Sequence, residues 1–193
     1  MPMRRTTLLA LDVSAKLVLF GLLLHAVTNP DLPQYADKAM QARAALYPLA
    51  VLAIPMAWWL FARQRPFPVL ADLLFTLPFL IDTAGNALDL YDRIEWWDDI
   101  NHLGNWMLLS AAFVSLGWPH DATRLTRVAL GVGFGAAVAI VWEVLEYVTF
   151  IPDSPEAATA YQDTLGDLTL GLLGSLIGAS VAAWYLDRHR RDS

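Results

Sequence analysis

Residues 96–106 read WWDDINHLGNW, and within them Asp98 and His102 are four apart. Further along, WEVLEY carries Glu143 and Glu146 three apart, and Asp163 and Asp167 are again four apart. On an α-helix each of these spacings puts both side chains on one face. Carboxylates joined by an imidazole, with no thiolate, make a ligand set for Mg²⁺, Mn²⁺, Fe²⁺ or Zn²⁺. The candidate metal ligands are therefore Asp98, His102, Glu143, Glu146 and Asp167. Among them His102, Glu143 and Glu146 are also the candidate catalytic groups. One carboxylate would serve as general base beside a metal that polarises an ester or phosphoryl oxygen. Asp82, Asn86, Asp99, Asn105 and Asp163 are expected around the set as supporting groups. No nucleophile motif accompanies it, and the Glu-x-x-His motif of di-iron bundles is absent.

The same residues have structural readings. Asp99 and Asp163 stand where two helices are expected to begin and could cap them. Glu143 and Glu146 could face positive helix ends, or close a hydrogen-bonded network with Asn105, Trp106 and Tyr147. Asp12 and Lys16, four apart, can pair on one face of the first helix. His25 could join the cluster or simply sit at the interface, while His120 and His189 are expected in solvent.

The elements that must position these groups follow from composition. Of the 193 residues, 56% are hydrophobic and only 17% charged, with a mean hydropathy of +0.43. That balance excludes an ordinary soluble domain and fits a polytopic membrane protein. With no cysteine, disulfides, thiolate metal sites and cysteine nucleophiles are excluded. No basic patch interleaved with aromatics points to nucleic acid.

Six stretches are long and apolar enough to span about 30 Å of hydrocarbon: 8–27, 44–62, 69–90, 100–118, 125–150 and 164–185. The first resembles a signal peptide in outline, but it holds Asp12 and Lys16 and no clear cleavage site follows, so it reads as a retained span. The expected fold is all-α, a bundle of about six transmembrane helices forming one integral membrane domain over residues 1–193. Arg4, Arg5, Arg63, Arg65, Arg124, Arg127, Arg188, Arg190 and Arg191 all fall on one side of this arrangement. The positive-inside rule then puts both termini in the cytoplasm.

In that orientation Asp82 and Asn86, the mouth of span four, Glu143 with Glu146, and Asp163 with Asp167 reach similar depth in the outer leaflet. Ionisable groups within spans are costly and usually face the bundle interior or a wet cavity. No Arg or Lys lies in the matching halves of these spans, so ion pairing is not expected to neutralise the group. Protonation, a bound cation, or solvation by water and helix N-termini are the remaining compensations. In 151–163, Ser154 and Pro155 are expected to start a short helix. Gly131 with Gly135, and Gly174 with Gly178, have the spacing that lets helices approach closely.

The series WWDDINHLGNW, WEVLEY and YQDTLGDLTLGLLGSLIGA resembles the YjdF-like family of bacterial inner-membrane proteins, and more distantly the VanZ-like proteins. Trp97, Asp98 and His102 match the first element of the VanZ-like pattern and Glu143 the second. Asp163 and Asp167, followed by Gly174 and Gly178, match the third. Glu146 stands where VanZ-like proteins favour glutamine, and Gly171 where they often carry asparagine. The resemblance covers about residues 75–180 and implies a multi-pass protein of the bacterial inner membrane; it supplies no reaction.

Three functions are open at this level. One is an enzyme acting on a lipid or lipid-linked envelope substrate with a divalent ion. Another is a non-catalytic module that binds a lipid or protein partner and uses the cluster as an internal clamp. The third is a proton-coupled transporter, which would need a polar path to the cytoplasm and, in many such folds, an internal repeat that the sequence does not display. Oligomeric state is not readable from the sequence.

Overall fold

The structure is a computed structural model describing residues 5–36, 38–117, 119, 121–149 and 155–191, with side chains described through 188 except at 155 and 156. Among the described residues helix accounts for 85%, and no strand occurs. In lipid, helices of this kind satisfy their backbone polar groups internally. The backbone divides into two compact units, Met1–Glu95 and Trp96–Ser193.

The first unit contains α1 (Arg5–Thr28), α2 (Met40–Val51), α3 (Ala53–Ala57), α4 (Val69–Ala87) and the short α5 (Leu90–Arg93). Helix α1 buries Asp12, Ala15, Leu19, Leu23 and Ala26, a three-to-four-residue stripe, and packs against α4. Residues 40–62 form one candidate span assembled from α2, α3 and a π-helical turn over Trp58–Ala62. Its break at Leu52 has a local cause. Pro55 has no N–H to give to the carbonyl four residues earlier, so the regular ladder fails there.

Two ionic knots hold this unit together. Lys16 reaches Asp12 at 2.7 Å and Asp72 of α4 at 2.5 Å, so the expected Asp12–Lys16 pair is half of a buried triad joining two helices. Asp82, expected to lack a basic partner, is met by Arg43 Nε at 3.0 Å. Arg43 falls just before the expected second span of 44–62. It lies in the first turn of α2, against α4, and also donates to the Lys38 carbonyl. Outside the spans, Lys38 pairs with Asp92 at 2.5 Å, holding that carboxyl below its ordinary range.

The second unit contains α6 (Trp97–Ser115), α7 (Arg124–Thr149) and α8 (Ala160–Arg191), all three in mutual contact. The segment from Pro155 to Ala158 is the short helix expected after Ser154, in 3-10 form; Ser154 lies outside the described residues. Helix α6 ends at Gly117, whose φ of 73° is the left-handed conformation that terminates helices.

Small residues set the helix spacing here. A Cβ on Gly174 would collide with the Leu103 carbonyl, and one on Gly178 with the Met107 carbonyl, so the backbones of α6 and α8 touch. Gly131 meets Val114 and Ala179, Gly135 meets Ser110 and Ser175, and Gly171 takes the indole of Trp106. At the other end of the bundle Arg127, itself buried, pairs with Asp187 at 2.8 Å and ties α7 to α8.

Among the described residues five helices are long and apolar enough to cross a membrane: Arg5–Thr28, Met40–Ala62, Val69–Ala87, Arg124–Thr149 and Ala160–Arg188. The expected fourth span, now α6, is not among them. Asp98, Asp99, Asn101, His102 and Asn105 crowd its first half and depress its hydropathy.

Candidate metal centre

The three helices of the second unit bring one histidine and its acidic neighbours together. His102 lies in the second turn of α6, only 6% exposed, because its face of the helix also carries Trp106 and Leu109 into the bundle. Its Nε2 is 3.7 Å from Asp98 Oδ1, one turn earlier, and 3.7 Å from Asp167 Oδ1 on α8. Its Nδ1 is 3.7 Å from Glu143 Oε1 on α7. His102, Glu143 and Glu146 form one set, and Asp98, His102 and Asp167 another, with ligand atoms in each within 4.8 Å of one another.

The 3.7 Å separations matter chemically. They exceed the N–H···O range, which ends at about 3.2 Å. Ligands held about 2.0–2.2 Å from a zinc-like ion at tetrahedral angles stand about 3.4 Å apart. A small adjustment would therefore convert either set into a coordination shell. Each would still need further ligands, from water or substrate, to complete it.

A neutral imidazole has one lone pair and one N–H. An ion on Nε2, with Asp98 and Asp167, leaves the proton on Nδ1 facing Glu143. An ion on Nδ1, with Glu143 and Glu146, leaves it on Nε2 facing Asp98 and Asp167. One neutral ring therefore serves one ion at a time. The first arrangement reproduces the common carboxylate–histidine–metal relay. It also draws ligands from two helices and includes Asp98, whose side chain is 46% exposed and leaves the shell accessible.

Glu143 is the most constrained of the acids. It is 6% exposed, Thr164 of α8 hydrogen-bonds to it, and its Oε1 is buried with no hydrogen-bond partner among the described residues. The ion pairs of Glu143 and of Asp167 both run to His102. Beside Glu143 opens a groove of about 480 Å³, lined also by Val144, Tyr147, Ala157, Ala160, Tyr161 and Thr164.

The supporting residues separate. Asn105 donates to Asn101 Oδ1 at 3.3 Å, and Asn101 donates to the Trp97 carbonyl at 3.0 Å. Asp99 and Asp163 do not cap their helices. The residue before α6 is Trp96, with no side-chain cap, and α8 begins at Ala160, so both aspartates fall inside the first turn and are exposed. There their charge complements the helix dipole without filling a cap position.

Asp82 and Asn86 belong to the first unit. Asp82 accepts from Arg43, from Tyr47 at 2.6 Å and from Tyr91 at 2.8 Å, while Asn86 donates to the Asp82 carbonyl. Asp82 is thus engaged in a complete local network. His25 is likewise in the first unit, with Nδ1 3.0 Å from the Tyr35 hydroxyl. His120 and the His189 side chain lie outside what is described.

Sequence reading missed the groove and Thr164. Their residues are ordinary in type, and only the meeting of the α7 end with the α8 start assembles them. Asn101 was legible in principle, lying four before Asn105 on the same helix face.

No curated protein and no solved structure matches the chain. The sequence model of the family described as "Predicted membrane protein (DUF2238)" matches residues 13–188, a span that holds every candidate ligand, and the chain belongs to that family.

Proposed function

We propose that this chain is a multi-pass protein of the bacterial inner membrane that binds one divalent cation and uses it on a lipid or lipid-linked substrate. The observation that supports this best is the setting of His102: a buried imidazole with carboxylate oxygens from α6, α7 and α8 all at 3.7 Å. In this reading His102 Nε2, Asp98 and Asp167 hold the ion, and Glu143 receives the Nδ1 proton. Mg²⁺, Mn²⁺, Fe²⁺ and Zn²⁺ all suit such a donor set. The ion would polarise an ester or phosphoryl oxygen and acidify a bound water. Glu143, beside the groove, is the carboxylate placed to take up a proton.

The YjdF-like resemblance is compatible with the family; the VanZ-like one contributes only the distant analogy of motif order. The distribution of arginines favours both termini in the cytoplasm and the His102 centre toward the exterior. A reporter fused after Arg127 that reads as exterior would reverse that orientation. Transport is the weaker reading. On the seam where a path would run beyond Ser110 and Ser175, the bundle is filled by Val114, Ala179, Ala182 and Ala183.

The test is elemental analysis of protein purified in detergent, with thermal unfolding in the presence and absence of chelator. The expected result is a retained divalent ion, a melting temperature lowered by chelation, and loss of both effects in His102→Ala and Asp167→Asn. Metal-free protein whose melting is indifferent to chelator and to added Mg²⁺, Mn²⁺ or Zn²⁺ would overturn the metal reading. A second reading, a non-catalytic module clamped by the ion, is favoured by the origin of the ligands on separate helices. It predicts that metal-free variants lose the fold and partner binding together.

A further inference from the structure

The last turns of α7 and the first turns of α8, with the 3-10 segment before it, form the groove of about 480 Å³ beside Glu143, a volume within the range of small-molecule sites. Tyr147 stands two residues before the end of α7, and Tyr161 is the second residue of α8. Both helices are candidate membrane spans, so the groove opens at the edge of the hydrocarbon, within reach of a water-soluble ligand.

Its lining selects by charge. Glu143 contributes a buried carboxylate, and Tyr147 and Tyr161 contribute phenol rings that are 53% and 74% exposed. The rest of the wall is Val144, Ala157, Ala160 and Thr164, none of them charged. In the unit Trp96–Ser193 every Lys or Arg lies within 124–127 or 188–191, at the opposite end of α7 and α8. Asp98, Asp99, Asp163 and Asp167 share the groove's own end. One divalent ion leaves most of that negative charge unmatched, so a cation is attracted here and an anion repelled.

The kind of cation follows from hydrogen-bonding capacity. Glu143 Oε1 faces His102 Nδ1 at 3.7 Å, and Thr164 already donates to the same carboxylate. A primary ammonium would bring three N–H donors to a wall that is otherwise apolar or phenolic, and a donor left unpaired is costly. A quaternary ammonium has no N–H. The carboxylate charge and the aromatic faces attract it, and its methyl groups pack on alanine and valine. It adds positive charge beside Glu143 without competing for the hydrogen bonds of that carboxylate.

We propose that this groove binds a small, water-soluble quaternary ammonium compound, with the cationic nitrogen against the rings of Tyr147 and Tyr161 and Glu143 as the counter-charge. The occupant carries no anionic group: a zwitterionic lipid head would bring its phosphate to the same acidic end. The inference goes beyond the metal reading and does not depend on it. The lining includes neither Asp98 nor Asp167, and Glu143 lies off the ion in that reading.

The experiment is equilibrium binding of radiolabelled choline, as the probe, to the purified full chain in an uncharged maltoside detergent, with metal content measured. Two competitors are compared: the uncharged isostere in which a tert-butyl group replaces trimethylammonium, and phosphocholine. Choline is expected to bind saturably, and both competitors at least tenfold more weakly. Tyr147→Leu and Tyr161→Leu should each weaken choline binding about tenfold, whereas Tyr147→Phe and Tyr161→Phe should bind like the parent, because a phenyl ring keeps the cation–π attraction. Both tyrosines are exposed, so these variants guard against the folding defect that Glu143→Gln risks; in folded Glu143→Gln protein the preference for choline over the isostere should shrink at least tenfold. Choline bound no more tightly than the isostere, or equally by the leucine and phenylalanine variants, overturns the inference. Phosphocholine bound as tightly as choline rejects the soluble cation in favour of a lipid head. The same binding is expected in chelator. Protein that keeps its metal but does not discriminate choline from the isostere overturns this inference alone, and metal-free protein that does discriminate them overturns the metal reading alone.

Discussion

The two units each bury a carboxylate centre, and the two are built on opposite principles. At Asp82 one guanidinium and two phenols converge on the two oxygens, at 3.0, 2.6 and 2.8 Å. Charge is matched one to one and the hydrogen bonds are short. At His102 the acids Asp98, Asp167, Glu143 and Glu146 gather around a single imidazole, with Asp98, Asp167 and Glu143 each 3.7 Å from a ring nitrogen. One centre is tight and balanced; the other is loose and rich in negative charge. Burial of an acid is therefore not by itself a sign of function. What distinguishes the second centre is the excess of acceptors and the spacing between them.

The largest expected effect breaks the balanced centre. Arg43→Ala leaves the Asp82 charge buried with only neutral donors, and removing one partner of such a pair costs about 3–5 kcal/mol. Adding Asp82→Asn should recover much of that loss. Denaturant or thermal unfolding in detergent measures both; an Arg43→Ala protein as stable as the parent would erase the contrast between the units.

The open centre should respond to a different variable. If free metal is kept a hundredfold above its dissociation constant, the ion stabilises the fold by about 2.7 kcal/mol. Asp167→Asn should remove that increment, so that parent and variant melt much closer together in chelator than in metal. The cost of Arg43→Ala should be the same in both buffers. A metal-sensitive Arg43→Ala cost would show that the two centres are not independent.

Helix spacing gives the next test. Gly178→Ala places a methyl against the Met107 carbonyl and should cost about 1–3 kcal/mol, because α6 and α8 must separate. Gly133→Ala, where nothing lies within 4 Å, should be neutral or slightly stabilising, since alanine is the better helix former. Because α6 and α8 carry His102 and Asp167, Gly178→Ala should also weaken metal retention, measured by elemental analysis. Retention equal to that of Gly133→Ala would mean that the centre tolerates the displacement.

The smallest effect lies at the exposed clasp of the first unit. Lys38 holds the Asp92 carboxyl below its ordinary value, so the folded state binds this proton less readily than the unfolded chain does. The clasp therefore adds stability above the ordinary carboxylate range, and that contribution is lost as pH falls through the depressed folded value. Asp92→Asn should remove this small part of the acid dependence while leaving the metal response intact. An unchanged acid-unfolding profile would show that solvent screening cancels the pair.

Much of this protein was determined by sequence alone. The apolar content, the absence of cysteine and the length of the hydrophobic stretches dictate membrane helices, because the bilayer leaves the backbone few other ways to satisfy its polar groups. Helical periodicity also pairs residues within one segment. Asp98 with His102, Glu143 with Glu146, Asp12 with Lys16, and the glycine pairs are local consequences of 3.6 residues per turn. That α6 falls short of a candidate span follows from its polar first half, which the sequence displays, although its apolar second half pointed the other way.

Tertiary structure alone decided which segments meet. Asp82 is balanced because Arg43, 39 residues away, packs on α4 from the start of α2, and no spacing rule links the two. Asp72 completes the Lys16 triad across 56 residues for the same reason. Asp167 reaches His102 because Gly174 and Gly178 let α8 lie directly on the backbone of α6, bringing in an acid 65 positions along the chain. Local periodicity fixes which residues share a face; the matching of faces between helices depends on side-chain volume and close packing over the whole bundle. The division between a balanced and an unbalanced carboxylate centre is therefore a property of the packed helices.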